Sequence, residues 1–410
     1  MTAADSKQRS PVAELLADRN FRRYWLAQIL VFGSNGTLRF VFVWLIVTLT
    51  DWPSAEGLTG IALGLPALLL ALPAGAWSDR FDRRSFTLLW IGTSAMLMAI
   101  WAIVVATGEA TPLLTGIAAA LLGAALVMMQ PNLNAIVPKL VPRDRLMNAA
   151  ALQNGGGQAA GFLGLGLGGG AIALLGNEGG FALLAVVLTI AFVLLWGVTI
   201  PPDAETGAAR QRLRTDVLEG LRYGLGAEPR RSLLIATLVL GSSFSVMQIT
   251  MPRVVEENFG RGPTEAGLLL GTFGIGMLTS SVFVARRKDM RHGLNVALFI
   301  GIGLGMGQFL LSLAPNYWVA TVVMILWGIN AGIAIASHRT LLQQRTDDAM
   351  MGRVMGIMTL GFSGGLPFGA LAQTVLAPAL GPVVTMRVVG LVTMAITIPL
   401  LLLRPSIRNA

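Results

Sequence analysis

The chain has 410 residues, of which 54% are hydrophobic and 12% charged, with a mean hydropathy of +0.69. Soluble domains need a more polar surface, so most of the chain is predicted to lie in lipid. The absence of cysteine excludes disulfides, thiolate metal sites and cysteine nucleophiles.

Apolar runs long enough to cross a bilayer recur along the whole chain. A membrane helix needs roughly 20 apolar residues. This length predicts a first set of spans near 22–50, 57–77, 85–107, 112–138, 147–175 and 180–200. A second set follows near 232–254, 264–284, 293–313, 317–338, 354–378 and 383–403. The start, Met1 to Pro11, lacks the apolar segment of a signal peptide, so the first span is expected to be retained.

The spans predict an all-α integral membrane protein with twelve transmembrane helices in two pseudo-symmetric halves. The expected parts are an N-terminal six-helix half over 1–200, a cytoplasmic linker over 201–231 and a C-terminal six-helix half over 232–410. Residues 56–92 also align with residues 265–301 at a constant shift of 209, as expected for two parallel repeats.

The net charge of +9 follows the predicted topology. With both termini in the cytoplasm, 26 of the 30 basic residues fall in the termini, the linker and the cytoplasmic loops. The exceptions are Arg39 inside a span and, on the outer side, Arg253, Arg261 and Arg387. The charge therefore indicates a multi-pass protein of a bacterial inner membrane, surrounded by lipid, and not a nucleic-acid-binding protein.

The loop between the second and third spans carries a charged motif. From Gly75 it reads Gly-Ala-Trp-Ser-Asp-Arg-Phe-Asp-Arg-Arg, which includes Asp79, Arg80, Arg83 and Arg84. This stretch resembles the loop signature of the major facilitator superfamily. The resemblance extends to 21–28, 141–145 and 352–355, the last containing Arg353, and is greatest to the branch of bacterial drug and siderophore (enterobactin-type) exporters.

The resemblance implies the major facilitator fold and a monomeric exporter of small amphipathic compounds, with the proton as candidate coupling ion and no cofactor. For the motif it implies a charged cluster that forms in one of two transport conformations. The alternative is that these residues are anchors at the membrane interface, and the sequence leaves both open.

Glycines in two spans are candidate packing or hinge positions. Gly164, Gly168 and Gly169 match the antiporter signature of the same superfamily, although Leu165 stands where that signature usually has proline. Pro367 interrupts the corresponding region of the eleventh span. These positions suit a hinge and close helix packing equally.

Arg39 is the clearest candidate for substrate binding, because an ionisable side chain within a membrane span is costly. Asn35 and Gln28 lie four and eleven residues before it and share its helix face. We expect a polar stripe that attracts an anionic or carbonyl-rich substrate, or else an arginine that reaches the outer headgroups. Further candidate cavity residues are Gln130, Asn134, Asn154, Gln158, Gln248 and Asn330. Any single one of these amides is expected to make an interhelical contact, while some of the set should contact ligand.

Three functional alternatives remain from the sequence. An importer or facilitator of an anionic metabolite or lipid-derived substrate suits Arg39 and the absence of Asp or Glu from the middle of the predicted spans. An intramembrane enzyme would need a catalytic or metal-binding cluster that the spans do not supply. A transport-fold sensor without flux is the third. Direct ATP drive is not expected, because the sequence contains no phosphate-binding loop motif.

Overall fold

The computed structural model describes residues 11–78, 82–142, 145–200, 213–286, 292–404 and 407, and all regular secondary structure in these residues is helical. The first helices are α1 (Pro11–Ala17), α2 (Arg19–Leu49), α3 (Ser54–Ser78), α4 (Arg83–Ala106), α5 (Pro112–Leu140) and α6 (Leu146–Trp196). The remaining helices are α7 (Leu213–Gly226), α8 (Arg230–Phe259), α9 (Pro263–Arg286), α10 (His292–Asn295), α11 (Leu304–Leu311), α12 (Tyr317–Gln344), α13 (Met351–Leu380) and α14 (Pro382–Thr397). Two π-helical segments, Val296–Gly303 and Ile398–Leu402, continue α10 and α14.

The helices begin and end within a few residues of the predicted spans. In the described part of the chain, eight helices have the length and composition to cross a membrane, and the apolar stretches Ser54–Leu70 and Leu298–Leu311 are shorter. Side-chain caps define several starts: Asp18, Asp82, Thr111 and Asn316 each accept a hydrogen bond from the backbone N–H three residues later.

Gly176 breaks the longest helix into two arms. A straight helix of the 51 residues of α6 would be about 75 Å long, far more than a bilayer core of about 30 Å. Gly176 has φ 77° and ψ 176°, a backbone conformation that glycine adopts without steric cost. The arms 146–175 and 177–196 correspond to the fifth and sixth predicted spans.

The helices pack as two groups, which we call the N-terminal bundle (α2 to α6) and the C-terminal bundle (α8 to α14). Within the first, α2 packs on α6 and α3 on α5; within the second, α8 packs on α13 and α9 on α12. The bundles meet mainly through α6 against α9 and α3 against α13. Glycine allows this approach: a Cβ on Gly169 of α6 would lie 2.2 Å from the carbonyl oxygen of Pro263 in α9.

We call the end of the molecule that carries α1 and α7 the terminal face, and the other end the opposite face. At the terminal face Glu14 of α1 pairs with Arg145 at 2.9 Å. The linker helix α7 is fixed to the C-terminal bundle, because the hydroxyl of Tyr223 donates to Asp347 at 2.7 Å and Arg230 stacks over the Tyr223 ring. The sequence assigns the terminal face to the cytoplasm.

Candidate functional site

A narrow cavity of about 20 Å³ lies between the two bundles, and we call it the Arg39 cavity. Arg39 of α2 and Gln248 of α8 are its main polar lining residues, so two predicted candidates that are distant in sequence meet here. The remaining wall is largely apolar and is contributed by α3, α6, α9 and α13, for example through Leu165 and Leu270. A polar pair in an apolar enclosure can orient a ligand through a few directed contacts.

Arg39 is held in the cavity wall by its neighbour on the same helix. Its Nε donates a hydrogen bond to Oδ1 of Asn35 at 3.1 Å, the i,i+4 relation expected from the sequence. Asn35 lies one turn closer to the terminal face, so the arginine side chain turns back from the opposite face. This geometry leaves the guanidinium in the cavity wall and does not extend it toward the headgroups.

The other predicted amides have different positions. Gln28 is buried and donates to the carbonyl oxygen of Gln153 at 3.4 Å, which is a contact between α2 and α6. Asn330 donates to the carbonyl oxygen of Phe299 at 3.0 Å, a contact within the C-terminal bundle. Both fit the alternative of interhelical contacts. The side chains of Gln130, Asn134 and Asn154 lie outside the described part of the structure.

Gln158 lines a second cavity of about 130 Å³. We call it the aromatic chamber, because five aromatic side chains surround it: Phe162, Phe244, Phe273, Trp327 and Phe362. The sequence reasoning did not identify this group. Each of five helices contributes one of these rings, so no spacing within a single segment of the sequence reveals the group.

A buried charged cluster joins the bundles at the opposite face. Arg253 of α8 is 3% exposed and forms an ion pair with Glu56 of α3, which is fully buried. It also pairs with Glu257 at 2.8 Å and donates to the carbonyl oxygen of Thr50 at 2.9 Å. Because Glu56 and Thr50 belong to the N-terminal bundle, Arg253 links the two bundles. In the sequence, Arg253 stood out as a basic residue on the outer side, where the positive-inside pattern predicts few.

The fold and the cavity between the bundles agree with the comparison to known families. The family model of the Major Facilitator Superfamily matches residues 24–370 and 233–409. The chain belongs to this superfamily. The prediction of a transporter, and not an intramembrane enzyme, is thereby confirmed.

Curated relatives in the superfamily include exporters. The enterobactin exporter EntS of Shigella boydii serotype 18 is 26% identical, over 95% of this chain and 92% of the relative. The multidrug efflux pump Tap of Mycolicibacterium fortuitum is 23% identical, over 90% of each chain.

Solved structures of the superfamily fold align over nearly the whole chain. A bacterial homolog of the human lysosomal transporter Spinster, in an inward-facing and unoccupied conformation, gives a TM-score of 0.73 at 14% identity and covers 97% of this chain and 96% of its own. The nucleoside transporter NupG gives a TM-score of 0.69 at 16% identity, covering 93% and 97%. At these identities the likeness concerns the fold alone.

The superfamily loop motif is described in part. Gly75 lies within α3, whereas Asp79 and Arg80 lie outside the described residues. Arg83 donates to the carbonyl oxygen of Ala135 at 3.4 Å, and Arg84 donates to that of Trp196. These contacts connect the start of α4 to α5 and to the end of α6.

The remaining motif arginine, Arg353, pairs with Glu219 of the linker helix at 3.2 Å. The pair connects the linker helix α7 to the first turn of α13 in the C-terminal bundle. Both side chains are partly exposed, so the pair is accessible to water.

The two other outer arginines also have partners. Arg261 lies over the Tyr317 ring at 4.8 Å, and Arg387 donates to the carbonyl oxygen of Ser312 at 3.3 Å. Arg253, Arg261 and Arg387 thus each have a structural contact at the opposite face. Of these arginines, Arg253 is the one whose described partners include the other bundle.

The candidate packing glycines have separate contacts. A Cβ on Gly164 would lie 2.1 Å from the carbonyl oxygen of Gly33, and one on Gly168 would lie 3.2 Å from Phe40, both within the N-terminal bundle. Gly169 faces α9 of the other bundle. Pro367 packs against Gly64 of α3, so it also lies between the bundles.

Proposed function

We propose that the chain is a secondary transporter of twelve transmembrane helices in two six-helix halves, which exports small amphipathic compounds by alternating access. The observation that carries this proposal is the Arg39 cavity, whose walls come from both bundles. A ligand there contacts both bundles at once, so a relative movement of the bundles changes its contacts and its access to either side.

Repeated helix boundaries support two equivalent halves. The starts of α3 and α9 are 209 residues apart, and those of α5 and α12, and of α6 and α13, are 205 apart. The break at Gly176 falls 205 residues before Gly381, which separates α13 from α14 and also has positive φ. One pattern of helix boundaries therefore occurs twice along the chain.

The substrate proposal follows from Arg39. A guanidinium in an apolar wall favours a carboxylate, sulfonate, phosphate or carbonyl-rich group and disfavours a cation. The names of the relatives EntS and Tap support export, from a bacterial inner membrane with both termini in the cytoplasm. Protons are the proposed counter-ion. Because the predicted spans carry no central acid, coupling would use peripheral carboxylates such as Glu56.

A second candidate is import or facilitated diffusion of an anionic metabolite. The same Arg39 cavity favours it, since recognition of an anion is independent of direction. The two candidates differ in whether an imposed proton gradient drives accumulation.

Flux through proteoliposomes tests the proposal. We expect the protein to accelerate movement of octanesulfonate, an amphipathic anion, more than that of ethidium, an amphipathic cation. The anion should accumulate in the vesicles when their interior is the more acidic side, because protons then leave as the anion enters. Equilibration that ignores the gradient would remove proton antiport and favour the facilitator. Absence of flux for both probes, with intact ligand binding, would favour a sensor.

Arg39→Gln tests the site itself. Loss of a charged hydrogen bond costs about 1.5–3 kcal/mol, so the apparent affinity for octanesulfonate should fall roughly tenfold to a hundredfold. Arg387→Gln is the matched control, because that arginine contacts Ser312 away from the cavity. Unchanged octanesulfonate affinity in Arg39→Gln would remove this arginine from the proposed binding site.

A further inference from the structure

The aromatic chamber has an ordered arrangement of rings around Phe273. The ring centre of Phe273 lies 5.8 Å from that of Phe162, 5.9 Å from Phe244 and 5.6 Å from Trp327. Phe244 in turn lies 5.9 Å from Phe362. These are tilted or edge-to-face contacts at the separations that aromatic pairs favour. The rings thus form a continuous wall.

Both bundles contribute to this wall. Phe162 belongs to α6, whereas the other four rings belong to α8, α9, α12 and α13. Phe162, Phe244 and Phe362 are half-buried, Phe273 and Trp327 are buried, and all five line the chamber. A flat ring that enters the chamber would meet aromatic surface from the two bundles.

The chamber lies about one helical turn from the Arg39 cavity, on the side of the terminal face. On four shared helices, a residue of the chamber is three or four positions from a residue of the Arg39 cavity. One helical turn is about 5.4 Å. The pairs are Phe162 and Leu165, Phe244 and Gln248, Phe273 and Leu270, and Phe362 and Leu366.

Arg39 is oriented toward this neighbouring space. Side chains on a helix tilt toward its N-terminus, and α2 begins at the terminal face. The hydrogen bond from Arg39 to Asn35 fixes the side chain in that direction. Arg39 thus turns toward the side on which the chamber lies, and the two sets of lining residues are about one helical turn, or 5.4 Å, apart along the shared helices. An acidic substituent lies at a comparable distance from the ring that carries it.

We propose that the two cavities form one binding site for an aromatic anion, with the ring in the aromatic chamber and the acidic group at Arg39. The inference rests on the proposed function and specifies its substrate class. An alicyclic anion gains the charge contact without the ring contacts, and an aromatic cation gains the ring contacts but is repelled by Arg39. Gln158 and Ser243 supply polar groups to the chamber wall for substituents on the ring.

Binding to the full-length protein in lipid nanodiscs tests this pairing. Three probes are compared by equilibrium dialysis: naphthalenesulfonate, camphorsulfonate, which has the same charge on an alicyclic body, and naphthylmethylammonium. Empty nanodiscs correct for partition into lipid. We expect naphthalenesulfonate to bind about tenfold tighter than camphorsulfonate and naphthylmethylammonium to bind more weakly than either. Equal affinities for the two sulfonates would overturn the ring subsite.

Variants locate the effect. Phe162→Leu and Phe362→Leu should each weaken naphthalenesulfonate binding about threefold to tenfold and leave camphorsulfonate binding nearly unchanged, while Phe162→Tyr should retain most of the affinity. Phe192→Leu is the matched control, because this half-buried ring packs on Trp196 outside the chamber. An equal loss in Phe192→Leu would contradict the assignment.

The outcome is separable from that of the proposed function. If Arg39→Gln weakens both sulfonates alike and the chamber variants have no effect, an anion site remains and the aromatic subsite is wrong. If the protein binds naphthalenesulfonate as expected but moves no probe in proteoliposomes, the subsite stands and the transport proposal fails.

Discussion

Two arginines of the terminal face and one of the opposite face hold different kinds of partner. At the terminal face, Arg84 donates to the carbonyl oxygen of Trp196 and Arg230 to that of Arg345, so each fixes a helix end within its own bundle. At the opposite face, Arg253 contacts Glu56 and the carbonyl oxygen of Thr50 in the other bundle. The first kind stabilises each bundle, and the second holds the two bundles together. Separation at the opposite face therefore has to disrupt a buried ion pair.

Arg253→Gln should give the largest effect on this comparison. Removing one partner of a buried ion pair leaves an uncompensated charge on Glu56 and costs about 3–5 kcal/mol. The variant should unfold at lower temperature and open more readily at the opposite face. Because the chain has no cysteine, Gln248→Cys supplies a single label site in the Arg39 cavity, and its reaction with an impermeant maleimide added at the opposite face should accelerate.

Arg387→Gln is the control for this experiment. Its guanidinium is at the same face but contacts Ser312 of its own bundle. If both variants change maleimide labelling equally, Arg253 has no special role in joining the bundles.

Gly169→Ala should have an intermediate effect at the same interface. The added Cβ would lie 2.2 Å from the carbonyl oxygen of Pro263, so α6 and α9 must move apart. Such overpacking costs about 1–3 kcal/mol and should raise labelling at the opposite face. Thermal unfolding and maleimide labelling measure the two effects.

Gly170→Ala provides a neighbouring comparison, since its Cβ would meet nothing within 4 Å. Alanine also favours the helix by about 1 kcal/mol relative to glycine. A loss of stability in Gly170→Ala as large as in Gly169→Ala would show that helix packing between the bundles is not the cause.

Arg353→Gln should give the smallest effect. The side chains of Arg353 and Glu219 are 33% and 55% exposed, and such ion pairs contribute about 0.2–1 kcal/mol. We expect a small decrease in thermal stability and no change in labelling at the opposite face. A labelling change as large as that of Arg253→Gln would contradict the distinction between the two faces.

The helices could be predicted from the sequence because their boundaries depend on local information. The length of the apolar runs places most ends within a few residues. Capping residues such as Asp18 and Asn316, which the prediction did not use, fix the starts of their helices. The break at Gly176 falls between the spans predicted to end at 175 and to begin at 180.

The candidate site could be predicted in part. The spacing of Asn35 and Arg39 predicts their contact, because an i,i+4 relation is fixed by the helix itself. The same reasoning places Gln28 on that face, yet the packing of α2 on α6 directs its amide to Gln153. Whether a polar residue meets a cavity or a neighbouring helix depends on tertiary packing.

Groups of residues that are distant in sequence and meet only in the folded structure could not be predicted. Glu56 and Arg253 are 197 positions apart, and the five rings of the aromatic chamber come from five helices. For Arg253 the sequence still contained a signal, namely a basic residue on the side where the positive-inside pattern predicts few. For the rings it contained none that distinguishes them from ordinary core residues.

The contacts of the linker also bound the distance over which the bundles can move. Thr199 is tied to Asn20 of the N-terminal bundle, and Tyr223 of α7 is tied to Asp347 of the C-terminal bundle. Thirteen residues, 200–212, connect Thr199 to the start of α7. The fully extended chain from Thr199 to Leu213 spans at most about 50 Å. The linker thus acts as a tether of fixed maximum length, and shortening it would restrict the widest separation of the terminal face before it affected either bundle.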